Sequence, residues 1–156
     1  MSNPKLRRGR RSEIGACYTV TTVCAGRLPL FRDPRLAGAL IFELDRIDET
    51  GSIRSHAWVV MPDHMHWLFE LRMGTLAQHM QRLKSSSARA INQRCGRARR
   101  IWQPGFYDHR IGSASDLQAQ ARYIVANPLR KGLAADIADY PHWYCRWIKT
   151  QQDLLL

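Results

Sequence analysis

The sequence predicts an α+β fold: a β-α-β-β-α-β run of ferredoxin-like order, its antiparallel sheet carrying helices on one face, followed by one further helix. Three observations point there. A β-branched run comes first, an apolar stripe of helical period follows it, and two strand-like runs then stand only a Pro-Asp breaker apart.

The first strand is Cys17 to Val23, C-Y-T-V-T-T-V, dense in residues that fit a pleated surface. Gly26, Pro29 and Pro34 punctuate the loop after it, and Leu36, Leu40, Leu44 and Ile47 then recur at helical spacing, predicting a helix over Pro34 to Glu49. Ile53 to Met61 and His64 to Leu71, turned at Pro62-Asp63, read as a hairpin. Thr75 followed by Gln78 has capping-box spacing, so a second helix should run from there to about Cys95 with Leu76, Met80, Leu83 and Ile91 buried. A fourth strand is expected within Ile101 to Ile111, broken by Pro104-Gly105. Ser115 and Gln118 repeat the capping-box spacing, opening a helix that must end by Asn127 because Pro128 restricts the residue before it. Beyond Gly132 the pattern is weaker, and Trp143, Tyr144 and Trp147 read as a segment folding back on the body. The organisation expected is a basic arm over 1–14, one domain over 15–140 and a packed tail over 141–156.

Composition bounds the partner. The 156 residues carry 24 Lys and Arg against 13 Asp and Glu, a formal charge of +11, which fits a polyanion and nucleic acid above all. No apolar run approaches the roughly 20 residues of a membrane-spanning helix, and no secretory signal opens the chain, so the expectation is a cytoplasmic, nucleoid-associated protein without a membrane partner. Cys17, Cys24, Cys95 and Cys145 lack C-x-x-C spacing; Cys17 and Cys24 read as small core residues rather than ligands.

Basic residues cluster twice. Lys5, Arg7, Arg8, Arg10 and Arg11 form an arm that is either a solvated tail or a strap along a phosphate backbone. Arg82, Lys84, Arg89, Arg94, Arg97, Arg99, Arg100 and Arg110 stand against a single acid, Asp108, and are read as DNA contacts. Trp102, Phe106 and Tyr107 are interleaved with them; core packing is the plainer reading for these aromatics, with Trp102 kept as the candidate for stacking on an unpaired base.

The chemistry-bearing residues are few. His64 and His66 lie two apart on a strand, hence on one face and about 7 Å apart along it, where two imidazoles can converge on a cation. Tyr123 and Asn127 stand four apart on the last helix, roughly 6 Å apart at Cβ. Strand packing for the histidines, and a core-edge Tyr with an Asn cap for the second pair, are the ordinary alternatives. Taken together, an amide oxygen from Asn127 could complete a hard-ion site with the histidines, for Mg²⁺ or Mn²⁺ ahead of Zn²⁺. An ion there would neutralise a phosphodiester for in-line attack by a tyrosine hydroxyl, leaving a 5′-phosphotyrosine and a free 3′-hydroxyl.

Pro62-Asp63-His64-Met65-His66 resembles the HUH motif of single-tyrosine insertion-sequence transposases. The runs Trp102-Gln103-Pro104-Gly105-Phe106-Tyr107-Asp108-His109 and Tyr123-Ile124-Val125-Ala126-Asn127-Pro128-Leu129-Arg130-Lys131-Gly132-Leu133 resemble the REP-associated tyrosine transposases in particular, over about Gly15 to Tyr140. The resemblance implies a ferredoxin-like fold, a catalytic Tyr123 on the helix after the core, and a divalent ion on His64, His66 and Asn127. It also implies recognition of a DNA hairpin with adjacent single-stranded bases, by a monomer ahead of a homodimer. Mobile insertion-sequence relatives usually place Gln where Asn127 stands, which favours the REP-associated branch. The segment Tyr140-Pro141-His142-Trp143-Tyr144 departs from the family's Tyr-Pro-Trp. The function expected is cleavage and rejoining of single-stranded DNA at hairpins; the alternatives are a hairpin binder without catalysis and a metal-dependent phosphodiesterase that uses water.

Overall fold

The computed structural model describes residues 12–155, so the basic arm from Lys5 to Arg11 lies outside the described residues. The main elements run β1 (Cys17–Val23), α1 (Pro34–Glu49), β2 (Ile53–Met61), β3 (His64–Leu71), α2 (Leu76–Cys95), β4 (Tyr107–Arg110), α3 (Ala114–Val125), a short α4 (Asn127–Arg130) and β5 (Trp143–Cys145). The five strands form one antiparallel sheet in the order β4-β1-β3-β2-β5.

Local chemistry sets the boundaries. Asp33 caps α1 by accepting from the Arg35 N–H (3.0 Å), and Pro34 follows where no helical donor is needed. Thr75 and Gln78 satisfy each other's backbone donors at the start of α2. Gly96 ends α2 at φ 63, a left-handed conformation that costs a side-chain-bearing residue more. The third helix starts two residues earlier than the Ser115–Gln118 spacing predicts. Ser113 is its cap, accepting from the Asp116 N–H at 3.2 Å.

The sheet divides the apolar residues by strand alternation. On one face Tyr18, Val20, Trp58, Val60, Met65, Trp67 and Phe69 pack under α1 and α2. On the other, Ala57, Val59 and Leu68 pack against Ala121, Ile124 and Val125 of α3, with Ile137 and Ile148 from the C-terminal segment. Each fully buried Leu, Val or Phe here contributes roughly 1.5–3 kcal/mol relative to exposure. The C-terminal segment therefore supplies a fifth strand, which the sequence pattern does not predict, and its Tyr140 hydroxyl donates to the Val60 carbonyl (2.6 Å). Among the described residues no helix is long and apolar enough to cross a membrane.

Candidate active site on the α3 face of the sheet

Alternation along β3 puts His64, His66, Leu68 and Glu70 on the α3 face, while Met65, Trp67, Phe69 and Leu71 face α1 and α2. The two imidazoles meet edge to face with ring centroids 4.9 Å apart. Each Nδ1 is already engaged. That of His64 donates to Asp63 Oδ1 at 2.7 Å, and that of His66 lies 2.7 Å from Thr21 Oγ1 across the β1–β3 pair. The bond to Asp63 leaves the His64 Nε2 lone pair for an ion, and the same follows for His66 in the tautomer whose Nδ1–H donates to Thr21 Oγ1; outer hydrogen bonds orient metal-binding histidines in this way.

The electrostatics agree. Burial, then the neighbouring His64, then the charges of Arg130 and Lys131 push the His66 pKa down to about 4, so its ring is neutral at physiological pH. Burial raises the Asp63 pKa, but the hydrogen bonds from His64 and Arg27 outweigh it and hold the carboxyl below its ordinary range.

Tyr123 is on the outer part of α3, 58% exposed, with the Arg130 guanidinium 3.6 Å over its ring centroid. It lines a cleft of about 320 Å³ with His109, Asp116 and Gln120. Arg130 thus joins the tyrosine to the histidine pair: its side chain stacks on one and its charge acts on the other. Asn127 is 4% exposed, but it does not share one continuous helix with Tyr123. Helix α3 ends at Val125, and the chain restarts at Asn127 as α4, with Pro128 in the first turn where its missing N–H is harmless. The i, i+4 spacing expected for the pair therefore crosses a helix junction.

The predicted DNA contacts separate. Arg82 and Arg89 are exposed on α2, across the sheet from the histidines. Arg97 and Arg100 are exposed on the loop after α2, which is tied to the His64 end of the sheet: the Ala25 N–H donates to the Ile101 carbonyl (2.8 Å), and the Cys24 N–H to that of Asp63 (2.9 Å). Arg94 donates to its own helix at Ala90, and Arg99 is half-buried with its backbone clamped by Asn92. Arg110 is paired with Glu13 at 2.9 Å.

Two assignments are corrected. Trp102 is 5% exposed, packed on Phe31 with its indole N–H donating to Ser87 Oγ (3.0 Å), so it offers no face to a base. The Lys84 ammonium donates to the carbonyls of Gln103 and Gly105, both at 2.7 Å, and burial lowers its pKa to about 8; it clamps the loop before β4 and is not free for phosphate. Sequence reasoning missed Thr21, visible only through strand register, and Arg130 and Lys131, which stand inside the Tyr123–Leu133 run. It missed Arg27 and Arg32 as well, which line a cleft of about 420 Å³ with His64 and Lys131.

Comparison with known proteins gives this face its family. A REP-associated tyrosine transposase of Escherichia coli (strain K12) is 33% identical over 88 residues, 55% of this chain and 50% of that protein. The chain spans about half the length of the curated relatives it matches. Among solved structures, a REP-associated tyrosine transposase bound to a REP hairpin superposes with a TM-score of 0.68 at 26% identity, covering 92% of this chain and 82% of that one. A protein of Deinococcus radiodurans described as a transposase shares the fold, at a TM-score of 0.55 and 21% identity, over 75% of this chain and 95% of that one. The family model for IS200-like transposases matches residues 15–127, from just before β1 to the buried asparagine that opens α4. With the histidine pair, Tyr123 and Asn127 all inside that match, the chain belongs to the IS200-like transposase family.

Proposed function

We propose that this protein cleaves and rejoins single-stranded DNA beside a REP-like hairpin, with Tyr123 as nucleophile and a divalent ion, Mg²⁺ or Mn²⁺, held by His64, His66 and Asn127. The observation that carries the reading is the common sheet face: two histidines with engaged Nδ1 atoms, and a tyrosine linked to them through Arg130. The donor set fits a divalent ion, since imidazole nitrogens and a buried amide are ligands without negative charge that leave room for phosphate oxygens. When bound, the ion would neutralise the scissile phosphate's oxygens.

The chain's own residues do the rest. Thr21 and Asp63 hold the two rings in place. Arg130 fixes the Tyr123 ring and presents guanidinium donors beside it. Tyr123 Oη attacks phosphorus and loses its proton; the 3′-oxygen departs and takes up a proton. One phosphoester replaces another, so the reverse attack by a 3′-hydroxyl reseals the strand without ATP. Arg97 and Arg100, with Arg27, Arg32 and Lys131, give the strand a basic path over the end of the sheet to the histidines. The protein acts as a monomer in this reading.

The experiment is incubation with labelled hairpin oligonucleotides and Mg²⁺ or Mn²⁺, followed by denaturing electrophoresis. A protein–DNA adduct that survives denaturation and depends on the ion supports the proposal. Hairpin binding without adduct would favour a binding protein, and cleavage without adduct a hydrolytic phosphodiesterase.

A further inference from the structure

The α3 face ends in a second cluster of ligand-type side chains. Cys17 and Glu70 are direct cross-strand partners on β1 and β3. On β2 a bulge between Ser55 and Ala57 inserts His56. Ser55 faces Trp67, its hydroxyl oxygen accepting from the indole N–H at 2.9 Å, so the extra residue turns His56 to the opposite face, beside Cys17 and Glu70. Bulges re-aim side chains in this way. Trp147 stacks on the imidazole at 5.1 Å and holds its plane. The expectation that Cys17 is a core residue is thereby corrected: Cys24 is buried, whereas Cys17 is only partly so and lies 3.6 Å from His56 Nε2.

We infer that Cys17, His56 and Glu70 form a second metal site, for Zn²⁺ or a similar thiophilic divalent ion, at the opposite end of the α3 face from the histidine pair. One ligand atom from each residue lies within 4.8 Å of the others. Two ligands at ordinary zinc–sulfur and zinc–nitrogen lengths on a tetrahedral ion stand about 3.5 Å apart, close to the Sγ–Nε2 spacing. The thiolate and carboxylate together match a divalent charge. Arg72 Nε holds Glu70 Oε1 at 2.9 Å, which leaves the second oxygen for an ion. The sulfur separates this site from the histidine-pair site in kind: a thiolate ligand selects Zn²⁺, whereas the amide oxygen of Asn127 and phosphate oxygens at the other site suit Mg²⁺ or Mn²⁺.

Arg146 competes with the ion. Its guanidinium stands 3.2 Å from His56 Nδ1 and can only donate, so without metal the ring proton is on Nε2, facing Cys17. Ligation through Nε2 moves that proton to Nδ1, releases the thiol proton of Cys17 to solvent and displaces the Arg146 side chain. The Arg146 backbone N–H keeps its bond to the His56 carbonyl (2.9 Å), so the segment following β5 stays attached. Ion binding would therefore staple β1, β2 and β3 and free one guanidinium of the C-terminal segment.

The test is titration of EDTA-stripped full-length protein with Co²⁺, read by absorption. The result expected is a thiolate-to-cobalt charge-transfer band, abolished in Cys17→Ser, weakened in Glu70→Gln, unchanged in His64→Ala, and displaced by Zn²⁺. Arg146→Ala should bind roughly tenfold more tightly, the size of effect that outer partners exert on metal sites. A second readout needs no variant: Zn²⁺ should protect Cys17 of the unaltered protein from alkylation while Cys95 still reacts. Absence of the band, a band that survives Cys17→Ser, or alkylation of Cys17 at the same rate with and without Zn²⁺ would overturn the assignment.

Discussion

One strand carries two chemistries. Read on its α1/α2 face, β3 is Met65, Trp67, Phe69 and Leu71, all fully buried in the larger core cluster. Read on its α3 face, the same strand is His64, His66, Leu68 and Glu70, where only Leu68 belongs to a core. The first face builds stability by filling volume. The second leaves both strand ends polar, with a short apolar floor between them under α3. The difference shows how a small domain can hold polar side chains rigidly: His66 stands between the core residues Met65 and Trp67, and His64 directly precedes Met65, so the backbone that carries the pair is fixed by the opposite face.

The comparison breaks most visibly by mutating neighbours. Trp67→Ala should destabilise the fold by about 3–5 kcal/mol, measured by denaturant unfolding, because it empties core volume and orphans Ser55. His66→Ala, one residue away, should cost no more than about 1–2 kcal/mol, the size of its bond to Thr21, yet abolish cleavage of a hairpin oligonucleotide. Hairpin binding by His64→Ala and His66→Ala should stay near the unaltered level, because phosphate contacts dominate affinity. If these variants lost binding and folding together, the histidines would be structural and the two faces alike.

A smaller effect is expected at Arg130. Replacing it with Ala should leave stability within about 1 kcal/mol, since the stack on Tyr123 is exposed. Cleavage should fall by about a hundredfold, the penalty of a nucleophile misplaced by roughly an ångström. Equal rates for the variant and the unaltered protein would mean that the stack has no part in positioning.

The basic residues give the finest test. Deleting one phosphate-neutralising cation should reduce the slope of log affinity against log salt by about 0.9 on duplex and about 0.7 on single strands. Removing Arg97 and Arg100, on the loop tied to the His64 end, should flatten the slope more than removing Arg82 and Arg89 on α2. Arg110→Gln should change it least, since that guanidinium is engaged by Glu13. The reverse order would route the DNA over the α1/α2 side.

Much of this was legible in the sequence, and the exceptions have physical causes. The bounds of β1, α1, β2 and β3 follow directly from period and breakers, because those elements are long and amphipathic or bracketed by Pro and Gly. The edge strand β5 is three residues of aromatic sequence, too short to show a period. Ser113 and Ser115 offer rival caps for α3, and only the backbone decides between them. At the site, residue type pointed to His64, His66, Tyr123 and Asn127, but partnership did not. Thr21 reaches His66 through register, and the break at Ala126 separates two residues whose spacing promised one helix. Charge was the least reliable guide. Lys84 and Arg110 count toward a basic patch by composition, and both are engaged within the protein.

The central claim is that Tyr123 is the nucleophile, and the most direct measurement is peptide mapping of the adduct formed with a labelled hairpin oligonucleotide and Mg²⁺ or Mn²⁺. The account predicts the nucleotide on the Tyr123 peptide, and no adduct or cleavage from a folded Tyr123→Phe protein. Tyr107 is the informative rival: it is 54% exposed and shares a face with Thr21 and His66 through the β4–β1–β3 register. A nucleotide found on Tyr107, or undiminished cleavage by Tyr123→Phe, would contradict the account and move the reaction to the β4 edge.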